Sequence, residues 1–244
     1  NGWWYIQNGF LDFSITGNYV DGIRTYNVSN GRVIGCNFYL PQTSIILPDG
    51  GYNLSTANIG LKVIKVNQAV CGNSSERYTS STASAVKTFQ RTHGLGVTGI
   101  VDITTWKAMG YSEYDWYNLG TYRTPIKVFN GATREYRINA MLQTAAEYAS
   151  AGTKYKVGCS GTPGTYVDCS GLIYQCLYAA GINPASNIVD HALAIYEYTS
   201  ANLAADNRLG IEVASYDLQP GDLVFYAKNG KSSVCHIAIY AGNG

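Results

Sequence analysis

Two short runs near the N-terminus alternate apolar and polar residues around the dipeptide Asn-Gly. The runs are WYIQNGFL, from Trp4 to Leu11, and YNVSNGRV, from Tyr26 to Val33, and they align at a spacing of 22 residues. Alternation with period two is typical of strands, and Asn-Gly is a strong hairpin signal because both residues accept positive φ in a type I′ turn. The pattern predicts two tandem β-hairpins within residues 1–54.

From about residue 55 to residue 110 the apolar positions follow helical spacing instead. A first helix is predicted from one stripe of four apolar residues, Ile59, Val63, Val66 and Val70. A second helix follows a polar run in which Ser80 or Ser81 is the expected N-cap, and a third, short helix is expected after Asp102. Residues 55–110 are therefore predicted to form a three-helix module, and the aromatic, irregular stretch 111–134 a linker.

The last part of the chain, residues 135–244, mixes both periodicities. A helix is predicted to begin near Thr133, with one face formed by Ile138, Leu142, Ala145 and Ala149. A second helix begins at Cys169 and ends before Gly181; its apolar positions are Leu172, Ile173, Cys176, Leu177 and Ala180. The alternating runs DLVFYAK and HIAIYA predict a β-hairpin. The chain as a whole is predicted to be an α+β multidomain protein.

Composition narrows the range of functions. Apolar residues make up 46% of the chain, but no run approaches the roughly 18 apolar residues of a membrane span. A net charge of +1 from 17 basic and 16 acidic residues provides no electrostatic footprint for nucleic acid or a membrane surface. The 21 tyrosines and 4 tryptophans suit flat platforms for stacking on sugar rings, although ordinary core packing accounts for most of them.

Cys169 is the first candidate for chemistry. It lies in the first turn of a predicted helix, where unsatisfied N–H groups and the helix dipole favour an anion. This position favours the thiolate form, which is the nucleophile. Cys176 lies two turns later on the apolar face, and we expect it to be a small buried side chain.

A thiolate nucleophile needs a base that can also protonate the leaving amine, and histidine suits both tasks near neutral pH. The chain has three histidines, His93, His191 and His236. His93 belongs to the three-helix module and is expected to be a solvated turn residue, and His191 is expected to be an exposed or capping residue of a helix. His236 begins a strand on the same face as the small Ala238, so it is the preferred base.

The first two segments resemble wall-binding modules. The aromatic hairpin repeats are similar to those of the choline-binding type. The stretch AVKTFQRTHGLGVTGIVDITTWKAMG, from Ala85 to Gly110, resembles the three-helix peptidoglycan-binding module. In that module the signature positions are expected to be core residues, here Phe89, Leu95, Val97 and Trp106.

The third segment resembles the NlpC-type cell-wall cysteine peptidases, which have a papain-like α+β fold. Three stretches carry this resemblance in order: DCSGLI from Asp168, LQPGDLVFY from Leu218 and HIAIYAGNG from His236. The resemblance implies that Cys169 is the nucleophile and His236 the base. It also implies substrate-side roles for Tyr155, Asp168 and Ser170, and an oxyanion hole that includes the backbone N–H of Cys169.

Two departures from the family pattern matter. The family's Tyr-x-aromatic-Gly-Gly stretch is YKVGC here, with Val157 for the aromatic residue and Cys159 for the second glycine. The family also has a third polar residue about a dozen positions after the base, which orients the imidazole. The sequence ends at Gly244, eight residues after His236, so we expect a C-terminally incomplete peptidase domain whose third member lies beyond Gly244.

The remaining cysteines raise a structural question. Six cysteines permit up to three disulfides in an oxidising compartment, although the count establishes no pairing. Because Cys235 adjoins the base and Cys159 precedes the nucleophile by ten residues, a Cys159–Cys235 disulfide is a hypothesis. The chain has neither a CxxC nor a His-x3-His pair, so no metal site and no cofactor is expected.

These observations favour a secreted bacterial peptidoglycan hydrolase. Two wall-binding modules would deliver a cysteine peptidase to stem peptides, and by resemblance the bond cleaved joins D-γ-glutamyl to the diamino acid. The expected partners are the stem peptides and the glycan, and the protein is expected to be a monomer, processed or excised because it begins at Asn1. The alternatives are a wall-binding protein without turnover, and an amidase or acyltransferase on the same fold.

Overall fold

The computed structural model describes most of the chain. The described residues are 6–7, 10–11, 13–21, 24–38, 53–120, 122–129, 132–182, 199–205, 212–229 and 233–242. The prediction for His191 lies outside these ranges. Within them, no helix is both long enough and apolar enough to cross a membrane.

The N-terminal part is antiparallel β structure. Strand β1 (Ile6–Gln7) pairs with β2 (Phe10–Leu11), and a three-stranded sheet is formed in chain order by β3 (Gly17–Asp21), β4 (Arg24–Ser29) and β5 (Arg32–Phe38). At the β4–β5 turn, Asn30 has a φ of 50° and Gly31 a φ of 72°, the two positive values of a type I′ turn. Both hairpins are therefore present, but the second shares its sheet with β3, which the repeat does not predict.

The middle part contains four helices: α1 (Leu61–Cys71), α2 (Ser80–Thr92), α3 (Ile103–Ala108) and α4 (Glu113–Asn118). Their shared core consists of Leu54, Val63, Val66, Tyr78, Val86, Val101, Trp106 and Trp116. The fourth helix was not predicted, because it lies in the stretch interpreted as an irregular linker. It forms because the Trp116 ring packs 5.5 Å from the Trp106 ring, and the Lys62 ammonium lies 4.9 Å from the centre of the Trp116 ring.

Helix caps in this part follow local chemistry. Asp102 caps α3 as predicted, since its carboxylate accepts the N–H of Thr105 at 2.7 Å. The N-cap of α2 is Thr79 rather than Ser80 or Ser81, because Thr79 and Thr82 form a reciprocal capping box.

The predicted core of the module is also partly wrong. Trp106 is fully buried, whereas Phe89 and Leu95 are half-buried and Val97 is 45% exposed. Buried Gln90 takes the central place near the glycine-rich loop: its side-chain oxygen accepts the N–H groups of Thr98 and Gly99, at 3.0 and 2.9 Å. Because the Gln90 side chain satisfies this backbone from inside the module, the loop needs no apolar anchor at Val97.

The C-terminal part is built around two helices, α5 (Arg134–Ser150) and α6 (Cys169–Ala179). Among the described residues of this part, the other elements are β6 (Lys154–Tyr155), β7 (Tyr166–Val167), α7 (Ser200–Ala205), a 3-10 helix (Ser215–Asp217), β8 (Leu223–Ala227) and β9 (Val234–Ile239). Helix α5 packs on α6, and both α6 and α7 pack on β9. The antiparallel β8–β9 pair confirms the predicted hairpin, with Tyr226 opposite His236.

The buried face of α5 differs from the predicted one. Its buried residues are Ala140, Met141, Thr144 and Tyr148, whereas predicted Ile138, Leu142 and Ala145 are half-buried and Ala149 is exposed. Two polar residues can lie in the buried stripe because each donates a hydrogen bond there. The Thr144 hydroxyl donates to the Ala140 carbonyl at 2.8 Å, and the Tyr148 hydroxyl donates to the Gly161 carbonyl at 2.7 Å.

Candidate active site

The start of α6 is organised by the carboxylate of Asp168, the N-cap residue. One oxygen accepts the N–H of Gly171 at 2.8 Å and the hydroxyl of Ser170 at 3.0 Å, and the other accepts the N–H of Gly158 at 2.7 Å. Asp168 is only 7% exposed. Its side chain therefore fixes the first turn of the helix and joins it to the loop that contains Gly158.

Gly171 allows that loop to approach the helix closely. A Cβ atom at this position would lie 2.2 Å from the carbonyl oxygen of Cys159, and 3.1 Å from the Cα of Ser160. The Asp168 N–H also donates to the Cys159 carbonyl at 2.8 Å. The glycine of the Asp-Cys-Ser-Gly stretch is thus required by a backbone contact.

Cys169 follows Asp168 and is half-buried at the helix N-terminus. The hydroxyl of Tyr155 donates towards its Sγ atom at a distance of 4.0 Å. Although Tyr155 is 59% exposed, desolvation of its hydroxyl and the nearby Cys169 raise the pKa of Tyr155 to about 12. The phenol is therefore a neutral hydrogen-bond donor beside the thiol at ordinary pH, and Tyr155 is not a core residue.

Strand β9 places His236 and Ile237 on opposite faces. Ile237 is 2% exposed and packs in the core with Ile173 and Tyr174 of α6. His236 is exposed, and its ring lies 5.6 Å from the ring of Tyr226 on β8. Among the described residues the His236 side chain makes no hydrogen bond, with Cys169 or with any other group.

The predicted site residues therefore fall into two groups. Tyr155, Asp168, Cys169 and Ser170 are brought together at the start of α6 by the hydrogen bonds above. His236 is placed on a strand that packs against α6, without a direct bond to that group.

Gln175 is a residue of this region that the sequence pattern does not single out. It is 1% exposed; its side-chain oxygen accepts the N–H of Thr124 at 2.8 Å, and its nitrogen donates to the hydroxyl of Ser160 at 2.8 Å. Helix α6 has no charged residue and is buried on nearly every side, so an amide there needs partners. In the sequence, the absence of charged residues from this helix indicates that Gln175 is buried and hydrogen-bonded. Gln175 ties the segment before α5 to the loop before the nucleophile.

The Cys159–Cys235 disulfide hypothesis is wrong in this structure, because both side chains are free thiols. Cys159 is fully buried and packs against Leu61 and Ile64 of α1, whereas Cys235 is exposed on β9. The two side chains thus belong to different environments. Cys176 is fully buried, as predicted, and burial raises its pKa to about 12. No group of three or more His, Cys, Asp or Glu side chains suitable for a metal ion occurs in the described ranges.

A half-buried cysteine at a helix N-terminus, beside a tyrosine hydroxyl and a capping aspartate, is a candidate nucleophile of the thiol-hydrolase class. Comparison with family models agrees with this class. Residues 152–244 match the NlpC/P60 family, and residues 66–109 match the putative peptidoglycan binding domain. The chain thus carries an NlpC/P60 domain and a peptidoglycan-binding domain, which confirms two of the three resemblances; the choline-binding type of repeat stays a prediction.

One relative gives a more specific comparison. The gamma-DL-glutamyl hydrolase of Bacillus subtilis (strain 168) is 30% identical to this chain over 156 residues. The aligned region is 64% of this chain and 31% of the relative, so the chain spans about a third of that protein's length. No solved structure matches the chain.

Proposed function

We propose that this protein is a cysteine endopeptidase that cleaves the stem peptides of peptidoglycan. The observation that carries this proposal is the position of Cys169 at the fixed N-terminus of α6, within reach of the Tyr155 hydroxyl. The NlpC/P60 match over the segment that contains both residues supports it. The name of the gamma-DL-glutamyl hydrolase relative supports a γ-glutamyl bond, and the bond proposed is the one between D-γ-glutamyl and the diamino acid.

In the proposed mechanism His236 takes the proton of the Cys169 thiol, and the thiolate attacks the carbonyl carbon of the scissile amide. The tetrahedral intermediate collapses as His236 gives its proton to the leaving amine, which leaves an acyl-enzyme with a C–S bond. Water then attacks the acyl carbon while His236 accepts a proton, and the C–S bond breaks to release the acid and the thiol.

Other residues have supporting roles in this proposal. The backbone N–H of Cys169 is the first of α6 and needs no partner inside the helix, which suits a donor to the oxyanion. The neutral Tyr155 phenol, 59% exposed, is placed to donate to a substrate carbonyl or carboxylate. Asp168 and Ser170 hold the turn that presents the thiol to the substrate.

The modules before the peptidase domain are proposed to bind the cell wall. The peptidoglycan-binding domain match over residues 66–109 supports this role. Even weak affinity for the wall raises the local concentration of stem peptides around an attached catalytic domain. The proposed location is outside the cell, at a bacterial cell wall.

The test is mass spectrometry of soluble products released from purified peptidoglycan. The chain is compared with Cys169→Ala, with His236→Ala and with Cys71→Ala, a control that removes a half-buried thiol of the helical module. The unmutated chain and Cys71→Ala are expected to release short stem fragments whose new N-terminus is the diamino acid, while the part that ends in D-glutamate stays attached to the glycan. Cys169→Ala is expected to lower the rate at least about a thousandfold.

Other outcomes contradict the proposal in identifiable ways. Saturable binding to sacculi without released peptides, unchanged in Cys169→Ala, would indicate a wall-binding protein without turnover. Products cut at the junction of glycan and peptide would indicate an amidase, and transfer to an added amine would indicate an acyltransferase.

A further inference from the structure

The loop of residues 155–160, called here the site loop, contacts the candidate active site with one side. Its Gly158 N–H donates to the Asp168 carboxylate at 2.7 Å, and its Cys159 carbonyl accepts the Asp168 N–H at 2.8 Å. Tyr155 at the start of the loop reaches Cys169. The position of this loop therefore fixes both the capping carboxylate and the phenol.

The opposite side of the site loop rests on the helical module. The Cys159 side chain is 0% exposed and forms a small cluster with Leu61 and Ile64 at the start of α1. Gly158 has a φ of +74°, and a Cβ there would lie 2.9 Å from Cγ1 of Ile59. The site loop thus fits between α6 and the module without free space for a larger residue.

An ion pair also joins the site loop to the helical module. The Lys156 ammonium lies 3.3 Å from the Glu76 carboxylate, and these side chains are 29% and 18% exposed. Within the module, Ile59 pairs with Arg77 as an antiparallel bridge, and the Gly60 N–H donates to the Glu76 carbonyl at 2.9 Å. Ile59 and Glu76 therefore lie side by side at one edge of the module, where backbone hydrogen bonds hold their two segments together.

We propose that the helical module, besides its proposed binding role, is a structural part of the active site, with Ile59 and Glu76 as positioning residues. They hold the site loop, which in turn holds Asp168 and Tyr155 around Cys169. The kinetic part of this inference rests on the proposed function, but the reactivity of the two thiols does not.

Cys159 provides a built-in reporter for the contact. Burial raises the pKa of the Cys159 thiol. The folded protein therefore protects this thiol from alkylation both by excluding the reagent and by keeping the sulfur protonated. Iodoacetamide labelling followed by peptide mass spectrometry measures Cys159 and Cys169 separately in one sample. Opening of the loop contact is read from Cys159, and its effect on the nucleophile is read from the pH dependence of Cys169 labelling.

The variants are Ile59→Ala and Glu76→Gln, each with a matched control. Val86→Ala removes a fully buried side chain from the module core, and Glu113→Gln removes the partner of Lys107 in an ion pair whose side chains are both 55% exposed. For all four variants we measure thermal unfolding, binding to sacculi, and kcat and KM on a short soluble stem peptide. The soluble peptide makes the kinetics independent of wall binding.

Ile59→Ala and Glu76→Gln are expected to speed Cys159 labelling at least about tenfold, since the local contact opens more often. They are also expected to displace the pH profile of Cys169 labelling and to lower kcat about twofold to thirtyfold. The control variants are expected to leave Cys169 labelling unchanged, and all four are expected to bind sacculi.

The proposal is overturned if Cys159 becomes reactive while the Cys169 profile and kcat stay those of the unmutated chain. It is also overturned if the double variant Ile59→Ala/Glu76→Gln leaves Cys159 fully protected, because these residues would then not hold the loop. If the unmutated chain hydrolyses nothing, the proposed function fails, and the Cys169 labelling profile alone decides the positioning role.

Discussion

The cysteine side of the candidate active site and its histidine side are held in different ways. Around Cys169, the buried Asp168 carboxylate accepts three hydrogen bonds, and the site loop is packed between α6 and α1. His236 is exposed, its side chain makes no hydrogen bond or ion pair with a described residue, and its ring lies beside that of Tyr226. Several hydrogen bonds and buried contacts fix the cysteine side, whereas no side-chain hydrogen bond to a described residue fixes the imidazole of His236.

This difference has a consequence for catalysis. A nucleophile fixed before substrate binds loses little free energy in reaching the reactive geometry. A base without a hydrogen bond to the nucleophile in the free enzyme can form that bond when substrate binds, since catalytic hydrogen bonds are often long in free enzymes and tighten in the complex. We therefore expect changes on the cysteine side to alter folding and activity together, and changes near His236 to alter activity alone.

The largest effect is expected from Gly171→Ala. Alanine is the better helix former by about 1 kcal/mol, so propensity alone would stabilise the variant. The new methyl group would instead lie 2.2 Å from the Cys159 carbonyl oxygen, and backbone must move to relieve that contact. We expect the free energy of unfolding to fall by about 3 kcal/mol, measured by chemical denaturation.

Gly96→Ala is the matched control for this change. No atom lies within 4 Å of a Cβ at Gly96, and its effect should stay within about 0.5 kcal/mol. Equal stabilities for the two alanine variants would show that the cysteine side is more loosely packed than the contacts indicate.

Asp168→Asn is expected to have the next largest effect. Asparagine keeps one acceptor oxygen, so either Gly158 or Gly171 loses its partner in a buried region. We expect a loss of about 2 kcal/mol in unfolding free energy together with reduced hydrolysis. Asp102→Asn at the start of α3 is the control: Asp102 caps through the N–H of Thr105, and asparagine caps helices equally well. Similar losses in both variants would contradict the special role of Asp168.

Much of this arrangement could be predicted from local sequence. The Asn30-Gly31 turn, the Asp102 cap and the end of α6 at Gly181 each depend on residues within one turn, and the structure has all three. The position of Cys169 in the first turn of α6 is likewise predicted from its own helix, since the apolar residues that follow it have helical spacing and Gly181 ends the run.

The rest depends on contacts between distant segments. Helix α4 is stabilised by the edge-to-face packing of Trp116 on Trp106, whereas the stretch itself is irregular in sequence. The Cys159 side chain packs against Leu61, about a hundred residues earlier in the chain. The disulfide hypothesis assumed instead that Cys159 would meet Cys235, because both lie near predicted site residues in sequence. Single-sequence patterns contain no information on such pairings.

A smaller effect is expected at alkaline pH from Cys176, the second thiol of α6. Burial raises its pKa from 9.0 to about 12, so the folded state holds the proton more tightly than the unfolded chain. The resulting stability is complete below pH 9 and is lost as the pH rises towards about 12. Between about pH 8 and pH 10, the free energy of unfolding should therefore fall by about 1 kcal/mol less in Cys176→Ala than in the unmutated chain.

Denaturant unfolding at several pH values measures this difference. Cys235→Ala is the control, because the exposed Cys235 side chain stays hydrated on folding. Parallel pH curves for Cys176→Ala and the unmutated chain would mean that the second thiol of α6 is hydrated, and the contrast between a buried helix and an exposed histidine would weaken.

The smallest effect is expected on the histidine side. Tyr226 is 49% exposed and lies opposite His236 in the β8–β9 register, so its removal should cost little stability. A cross-strand pair contributes a few tenths to about 1 kcal/mol, and loss of this ring contact should lower kcat/KM about threefold in Tyr226→Ala. Tyr226→Phe keeps the ring, so its kcat/KM should fall less than that of Tyr226→Ala. Tyr216→Ala removes a tyrosine that is 87% exposed and is the control for the loss of an aromatic side chain. A hundredfold loss in Tyr226→Ala would mean that Tyr226 alone fixes the base, and that the two sides of the site are equally constrained.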